Sequence, residues 1–215
     1  MRATFIRHGQ STGNVNVPSD DLSLLELTER GWQQAKEISN AWAGSPSLIV
    51  TSPYLRTQQT AQPTIERFPS APVEVWPIQE FTYLKPSRWN GTLSAERKPH
   101  IEAYWRTSDP EFCDGEGAES FGTLLRRAEN ALNCLEDQPT DSRALIFSHG
   151  QFIQAVRVIV LYPDATDSQR MEHFRRADGI PAVRNAELVE LEFEEKGWQL
   201  RQIIHNQGVG TDPFL

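Results

Sequence analysis

Apolar positions along the chain follow two periods. Short continuous runs, Ala3–Ile6, Ser47–Thr51, Val73–Pro77 and Arg143–Phe147, are bounded by polar, glycine or proline residues and predict buried strands. Between them the spacing lengthens to three or four. Thr28 is a candidate helix N-cap, followed by Trp32, Ala35, Ile38 and Trp42 on one face. A helix from about Tyr54 to Phe68 contains Pro63, which should kink or split it. Further helices are expected over Ser120–Asp137, directly after His149-Gly150, and from about Asp167 to Ala177. Their inner faces include Phe121, Leu124, Leu125, Ala128, Leu132 and Leu135 in the first, and Phe152, Ala155, Val156, Ile159 and Val160 in the second. The last stretch reads as a hairpin: Ala186–Phe193, a Glu195-Lys196-Gly197 turn, then Trp198–Ile204. Strands alternating with helices predict an α/β domain, with a mostly parallel central sheet and an antiparallel edge from the hairpin.

Two stretches break the pattern. Residues 9 to 23 are rich in Gly, Ser, Asn, Pro and Asp and predict a loop. Residues 81 to 118 mix Tyr83, Trp89, Tyr104, Trp105 and Phe112 with Lys85, Arg88, Arg97, Lys98 and His100. Prolines and glycines interrupt them, so this reads as a partly helical insertion over the sheet edge. Packing explains its aromatics more readily than a pocket does.

The net charge of −8 argues against nucleic acid or an anionic membrane as partner, so any anion site must be a local basic pocket. The two cysteines, Cys113 and Cys134, lack metal-type spacing and fit a reduced, cytoplasmic setting. No apolar run approaches membrane-spanning length, and the first strand begins almost at Met1, where a signal peptide would otherwise stand.

Candidate chemistry gathers at one predicted edge. Arg7-His8-Gly9 ends the first strand and Ser148-His149-Gly150 ends the fourth. In open α/β sheets ligands bind at the carboxyl ends of the strands. Asn14 lies in the first loop, Arg56 in the first turn of the helix after Ser52-Pro53, and Glu80 just past the third strand. Two arginines and two histidines suit a phosphate, since guanidinium forks match its oxygens in pairs. Helix N-termini after Pro53 and Gly150 would add backbone donors. A metal fits poorly, because the arginines would repel a cation and no second carboxylate lies near. One histidine could serve as nucleophile toward phosphorus. Glu80 could protonate the leaving oxygen if burial raises its pKa toward neutrality.

These residues together resemble the histidine phosphatase superfamily, with its phosphoglycerate-mutase-like three-layer α/β/α sandwich. Arg7-His8-Gly9-Gln10-Ser11 with Asn14 is similar to the signature loop, and Leu27-Thr28-Glu29-Arg30-Gly31-Trp32 to the helix after it. Ser52-Pro53-Tyr54-Leu55-Arg56-Thr57, Glu80, Trp89-Asn90-Gly91-Thr92, Glu119-Ser120 and Ser148-His149-Gly150 follow in family order. The resemblance implies a single domain over residues 1 to 215 with a cap-like segment at about 81 to 118. It implies His8 as nucleophile, His149 with Arg7, Asn14, Arg56 and Gly150 on the phosphate, and neither metal nor organic cofactor. The implied activity is phosphomonoester hydrolysis on a small phosphorylated metabolite. Two alternatives remain: a mutase using the same phosphohistidine, and a catalytically silent phosphate-binding module. The chain departs from the family in a longer link from Glu80 to Trp89, and Asn90 stands where an acid is usual. A Glu-Arg-His-Tyr-Gly type run, associated with glycolytic mutases, is absent after Glu80. The basic and aromatic residues after Glu80 fit either a substrate with a second acidic group or a solvated face.

Overall fold

A computed structural model describes residues 1–15, 19, 21–175 and 181–204. The strands are β1 (Arg2–Arg7), β2 (Leu48–Thr51), β3 (Val73–Val75), β4 (Arg143–Ser148), β5 (Leu188–Glu194) and β6 (Gly197–Ile204). The helices are α1 (Glu29–Asn40), α2 (Leu55–Arg67), α3 (Pro86–Trp89), α4 (Ser94–Arg106), α5 (Phe121–Glu136), α6 (Gly150–Leu161) and α7 (Asp167–Arg175). One sheet has the order β3-β2-β4-β1-β5-β6. Its first four strands are parallel, and β5 and β6 add the expected antiparallel edge.

Side-chain alternation divides the core between the two faces of the sheet. Phe5, Val50 and Ile146 point into a cluster with Phe121, Leu125, Phe152 and Val156, from α5 and α6. Ile6, Ile49 and Phe147 point the other way, onto Ile38 and Ala61 of α1 and α2. The result is the three-layer α/β/α sandwich. The register fixes the site edge: Arg7 pairs with Ser148, and Thr51 pairs with Phe147. Chain leaving β1, β2 and β4 therefore emerges at one level, bringing His8, Ser52 and His149 together.

Thr28 caps α1 as its sequence position suggests, accepting from the Gly31 N–H at 3.2 Å. Ala35 and Ile38 are buried with Trp42, while Trp32 is half-buried. Two expectations are corrected. Pro63 does not split its helix, since α2 runs unbroken from Leu55 to Arg67. The Pro63 carbonyl instead accepts from Ser39 Oγ of the neighbouring helix at 2.9 Å. The third strand ends at Val75 rather than Pro77; it is an exposed edge strand paired only with β2. The helix expected as far as Ala177 is seen to Arg175, and residues 176 and 177 lie outside the described set, as do 16–18 and 20 of the first loop. Among the described residues no helix is long and apolar enough to cross a membrane.

The 81–118 segment divides by role. Phe81, Tyr104 and Trp105 are buried against the α5 side of the core, and Trp105 stacks on Phe174 at 5.4 Å. Short α3 and longer α4 carry the remainder over the sheet edge.

Glycine is sterically required where α1 meets the β1 loop. A Cβ on Gly31 would stand 2.1 Å from the Gln10 carbonyl oxygen, and one on Gly9 would stand 2.7 Å from the Gly31 oxygen. Gly31→Ala should therefore force α1 away from the loop after His8. The expected cost is about 1–3 kcal/mol, read as a lower midpoint in urea unfolding with an unchanged m-value. A midpoint equal to wild type would show that the contact yields freely.

Candidate active site

His8 and His149 are both buried, with ring centroids 5.3 Å apart. Arg56, 5% exposed, lies between them. Its Nε donates to His8 Nε2 at 3.1 Å, its Nη2 to His149 Nδ1 at 3.0 Å, and its Nη1 to the Leu22 carbonyl at 2.7 Å. The Arg56 ring partner is Tyr54, 5.0 Å away.

These contacts fix both tautomers. A guanidinium can only donate, so His8 Nε2 and His149 Nδ1 are acceptors without hydrogen. His8 Nδ1 must then carry the hydrogen, which it gives to the Gly9 carbonyl at 2.7 Å. His149 Nε2 carries its own hydrogen and gives it to Ser52 Oγ at 2.7 Å. Ser52 Oγ also accepts from the Tyr54 N–H at 3.1 Å, so its hydrogen goes to Thr57 Oγ1 at 2.8 Å. Thr57 donates onward to the Tyr54 carbonyl at 2.7 Å. The chain from Arg56 to Tyr54 thus has one consistent direction of donation.

Burial, then the charges of Arg56 and Arg7, hold His8 well below the usual imidazole pKa. Burial, then Arg56, does the same for His149. Both rings are therefore neutral at physiological pH, and His8 presents an unprotonated Nε2. Burial also pulls Arg56 down to about 10, which still leaves it charged.

Arg7 Nη1 donates to the Val183 carbonyl at 2.7 Å, and its guanidinium lies over Gly150, where a Cβ would be 3.3 Å from Nε. Asn185 Nδ2 donates to the His8 carbonyl at 3.0 Å and to Asn14 Oδ1 at 3.1 Å. Asn14 Oδ1 also accepts from the Ser11 N–H at 3.0 Å. A cavity of about 260 Å³ opens here, lined by Arg7, His8, Asn14, Arg56, Glu80 and Arg97 among others.

His149 is fully enclosed, beyond Arg56, and Gly150 packs beneath Arg7. The first turn of α6 is also already engaged, since the Gln151 N–H donates to Glu80 Oε1 at 3.0 Å. That oxygen takes the Phe81 N–H as well, at 3.1 Å. Glu80 is half-buried. Its segment is clamped by Arg127. This guanidinium donates to the Pro77 carbonyl at 2.7 Å and the Gln79 carbonyl at 3.1 Å, and pairs with Glu119 through two bonds of 3.0 and 2.6 Å.

Sequence reasoning missed Arg127, Asn185 and the hydroxyl pair Ser52 and Thr57. Ser52 and Thr57 lie within a quoted motif, and their neighbours could have signalled them. Arg127 and Asn185 carry no local signal. Among the described residues, no group of three or more His, Cys, Asp or Glu side chains could hold a metal ion.

This fold and this edge define a class of phosphate-handling α/β enzymes, and comparison identifies the class. The family model described as histidine phosphatase superfamily (branch 1) matches residues 3–206, and the chain belongs to that family. A Cronobacter sakazakii protein named probable phosphoglycerate mutase GpmB is 27% identical over 207 residues, covering 92% of this chain and 87% of its own. A mannitol-1-phosphatase of Eimeria tenella is 26% identical over 203 residues, covering 73% of this chain and 64% of its own. A mycobacterial glucosyl-3-phosphoglycerate phosphatase, solved with VO3, superposes with a TM-score of 0.72 at 24% identity, covering 93% of this chain and 96% of that one. The α-ribazole phosphatase of Shigella flexneri gives 0.72 at 22%, covering 98% and 99%. Family members include phosphatases and mutase-like proteins, and the fold is theirs.

The lowered imidazole pKa values carry a stability consequence. In the folded chain the two rings stay neutral below pH 6.5, where their unfolded counterparts take up protons. The unfolded state then binds more protons, so stability falls as pH drops from 6.5 toward the folded-state values. Urea unfolding between pH 7.5 and 5.5 should show this decline, and His8→Asn with His149→Asn should flatten it. An equally steep decline in the double variant would place the acid sensitivity elsewhere.

Proposed function

We propose that the protein is a phosphomonoester hydrolase working through a phosphohistidine on His8. The observation that carries this reading is the bond from His8 Nδ1 to the Gly9 carbonyl. It leaves the lone pair on Nε2, on a cavity lined by the guanidinium groups of Arg7, Arg56 and Arg97. A phosphate dianion is a stronger acceptor for Arg56 than a neutral imidazole. Its arrival would draw the Arg56 donor from His8 Nε2 onto a phosphate oxygen, which exposes the nucleophile as the target enters.

Nε2 then attacks phosphorus in line, forming the N–P bond as the P–O ester bond breaks. Arg7 and Arg56 stabilise the equatorial oxygens. His149 is the partner behind Arg56, oriented by Ser52 and Thr57, and it can take up a proton once the dianion offsets the arginine charges. Glu80 protonates the leaving alkoxide. Water attacks the phosphohistidine, with Glu80 taking its proton, and inorganic phosphate leaves. No step calls on a metal or an organic cofactor.

The mutase reading draws on the GpmB relative. Among the described residues, however, Arg97 is the one cationic side chain on the cavity wall beyond the phosphate pair, which gives a phosphorylated sugar acid little to hold. Hydrolysis is the better fit.

Two measurements test the proposal. Protein quenched in base after brief reaction should retain phosphate label that acid quenching removes, and His8→Ala should carry none. Label in that variant at the wild-type level would end the assignment. Glu80→Gln should slow alkyl esters by about 10²–10⁴-fold and nitrophenyl phosphate far less, because a phenoxide needs little protonation. Equal losses for both would mean that the proton comes from another group.

A further inference from the structure

A second cavity of about 190 Å³ continues from the first. The two share Leu22, Leu25, Arg56, Glu80 and Arg97, so the second space opens beside the Glu80 that would protonate the departing oxygen. Resting on the phosphatase reading, we infer that this space holds the alcohol half of the substrate, and that this half carries an aromatic ring.

The walls make the case. Tyr83, Leu84, Pro86, Trp89 and Ile101 face the space from the segment after Glu80. The polar tip of Tyr83 is engaged by the Gln151 side chain, which leaves its ring as the surface. Trp89 is held at a fixed angle by His100, with centroids 4.1 Å apart. Arg97 is tied to the Thr92 carbonyl at 2.9 Å, at the junction between the two cavities. Lys85, Arg88 and Lys98, which the sequence offered for a second acidic group, do not line either cavity. Lys85 lies against Gly115, and Arg88 and Lys98 are exposed. They form the solvated face. A sugar or sugar acid in this space would find Thr82, Asn90 and Arg97 as polar partners, but would press its remaining hydroxyls against leucine, isoleucine, proline and ring faces, where they would lose water without gaining partners. A flat apolar ring gains from the same walls by burial and by offset or edge contacts with Tyr83 and Trp89.

The Gly91 N–H donates to the Ser19 carbonyl at 2.8 Å, so the first loop meets the α3–α4 link.

The test compares 2-phenylethyl phosphate, glycerol phosphate and 3-phosphoglycerate as substrates of the wild-type protein. Phenylethanol is no better a leaving group than glycerol, so a preference for it reports binding. We expect kcat/KM to favour the phenylethyl ester by about 10- to 100-fold, the range that burying one ring supplies, and Trp89→Ala or Ile101→Ala to shrink that ratio. Calorimetry with 2-phenylethylphosphonate and methylphosphonate, neither of which is hydrolysed, reads the same preference without chemistry. Similar rates for all three esters, or a preference for 3-phosphoglycerate, would overturn the inference, as would equal affinity for the two phosphonates. Absence of turnover for every ester, with the phosphonate preference intact, would sink the hydrolase reading and leave the pocket assignment standing.

Discussion

The Arg56 guanidinium sits between two imidazoles and a carbonyl, almost wholly out of water. Enclosing a cation costs several kcal/mol unless opposite charge or good acceptors answer it. Here three neutral acceptors take three of its five N–H donors, and the Glu80 carboxylate opposes its charge without cancelling the effect of burial, which still pulls Arg56 down. Several properties follow from that imbalance. The field of Arg56 is part of what keeps both histidines unprotonated, and its donors dictate which nitrogen of each ring bears hydrogen. The same excess of positive charge makes a phosphate dianion the natural completion of the site. The acidic body around it then matters less than the local pocket, because exposed charges are screened over about 8–10 Å while buried ones are not.

Positioning of the proton-handling carboxylate is a separate problem with a separate solution. Glu80 comes from chain beyond the weakest strand, β3, whose residues are all exposed. A three-residue edge strand cannot by itself hold a side chain to the precision a proton transfer needs. Arg127 supplies the stiffness from α5, binding two carbonyls of the Pro77–Gln79 stretch while Glu119 neutralises it. The first turn of α6 holds the Glu80 carboxylate itself. So the helix that follows His149 also aims Glu80, and the two halves of the chemistry share one scaffold.

What the sequence disclosed and what it withheld separate along physical lines. Arg7, His8, Arg56, Glu80 and His149 were legible because parallel strands deliver whatever follows them to a common edge, and short apolar runs mark those strands. The Thr28 cap and the terminal hairpin were legible for the same local reason. The reach of β3 was overestimated because Pro77 extends the apolar run past the last bond to β2, which the Trp76 N–H gives to the Thr51 carbonyl. Pro63 misled because proline opposes a helix locally, whereas α2 is held by its burial against α1 and the sheet. The hold of the α6 turn on Glu80 is a tertiary fact that no local pattern announces. Asn185 and Arg127 were invisible because their partners lie far along the chain and no pattern links them.

The distance between Asn185 and its partner has a consequence for how the protein is made. Arg7 and His8 are fastened to Val183 and Asn185 across sequence separations of 176 and 177 residues. Strand β1 is also hydrogen-bonded on both sides by late strands, β4 and β5. On a ribosome His8 emerges long before Asn185 and must wait, without its sheet neighbours, until those late strands have followed. Such long-range closure is slow to form. It also makes the cavity beside His8 one of the last features to assemble, so a partly synthesised chain has no finished pocket to expose.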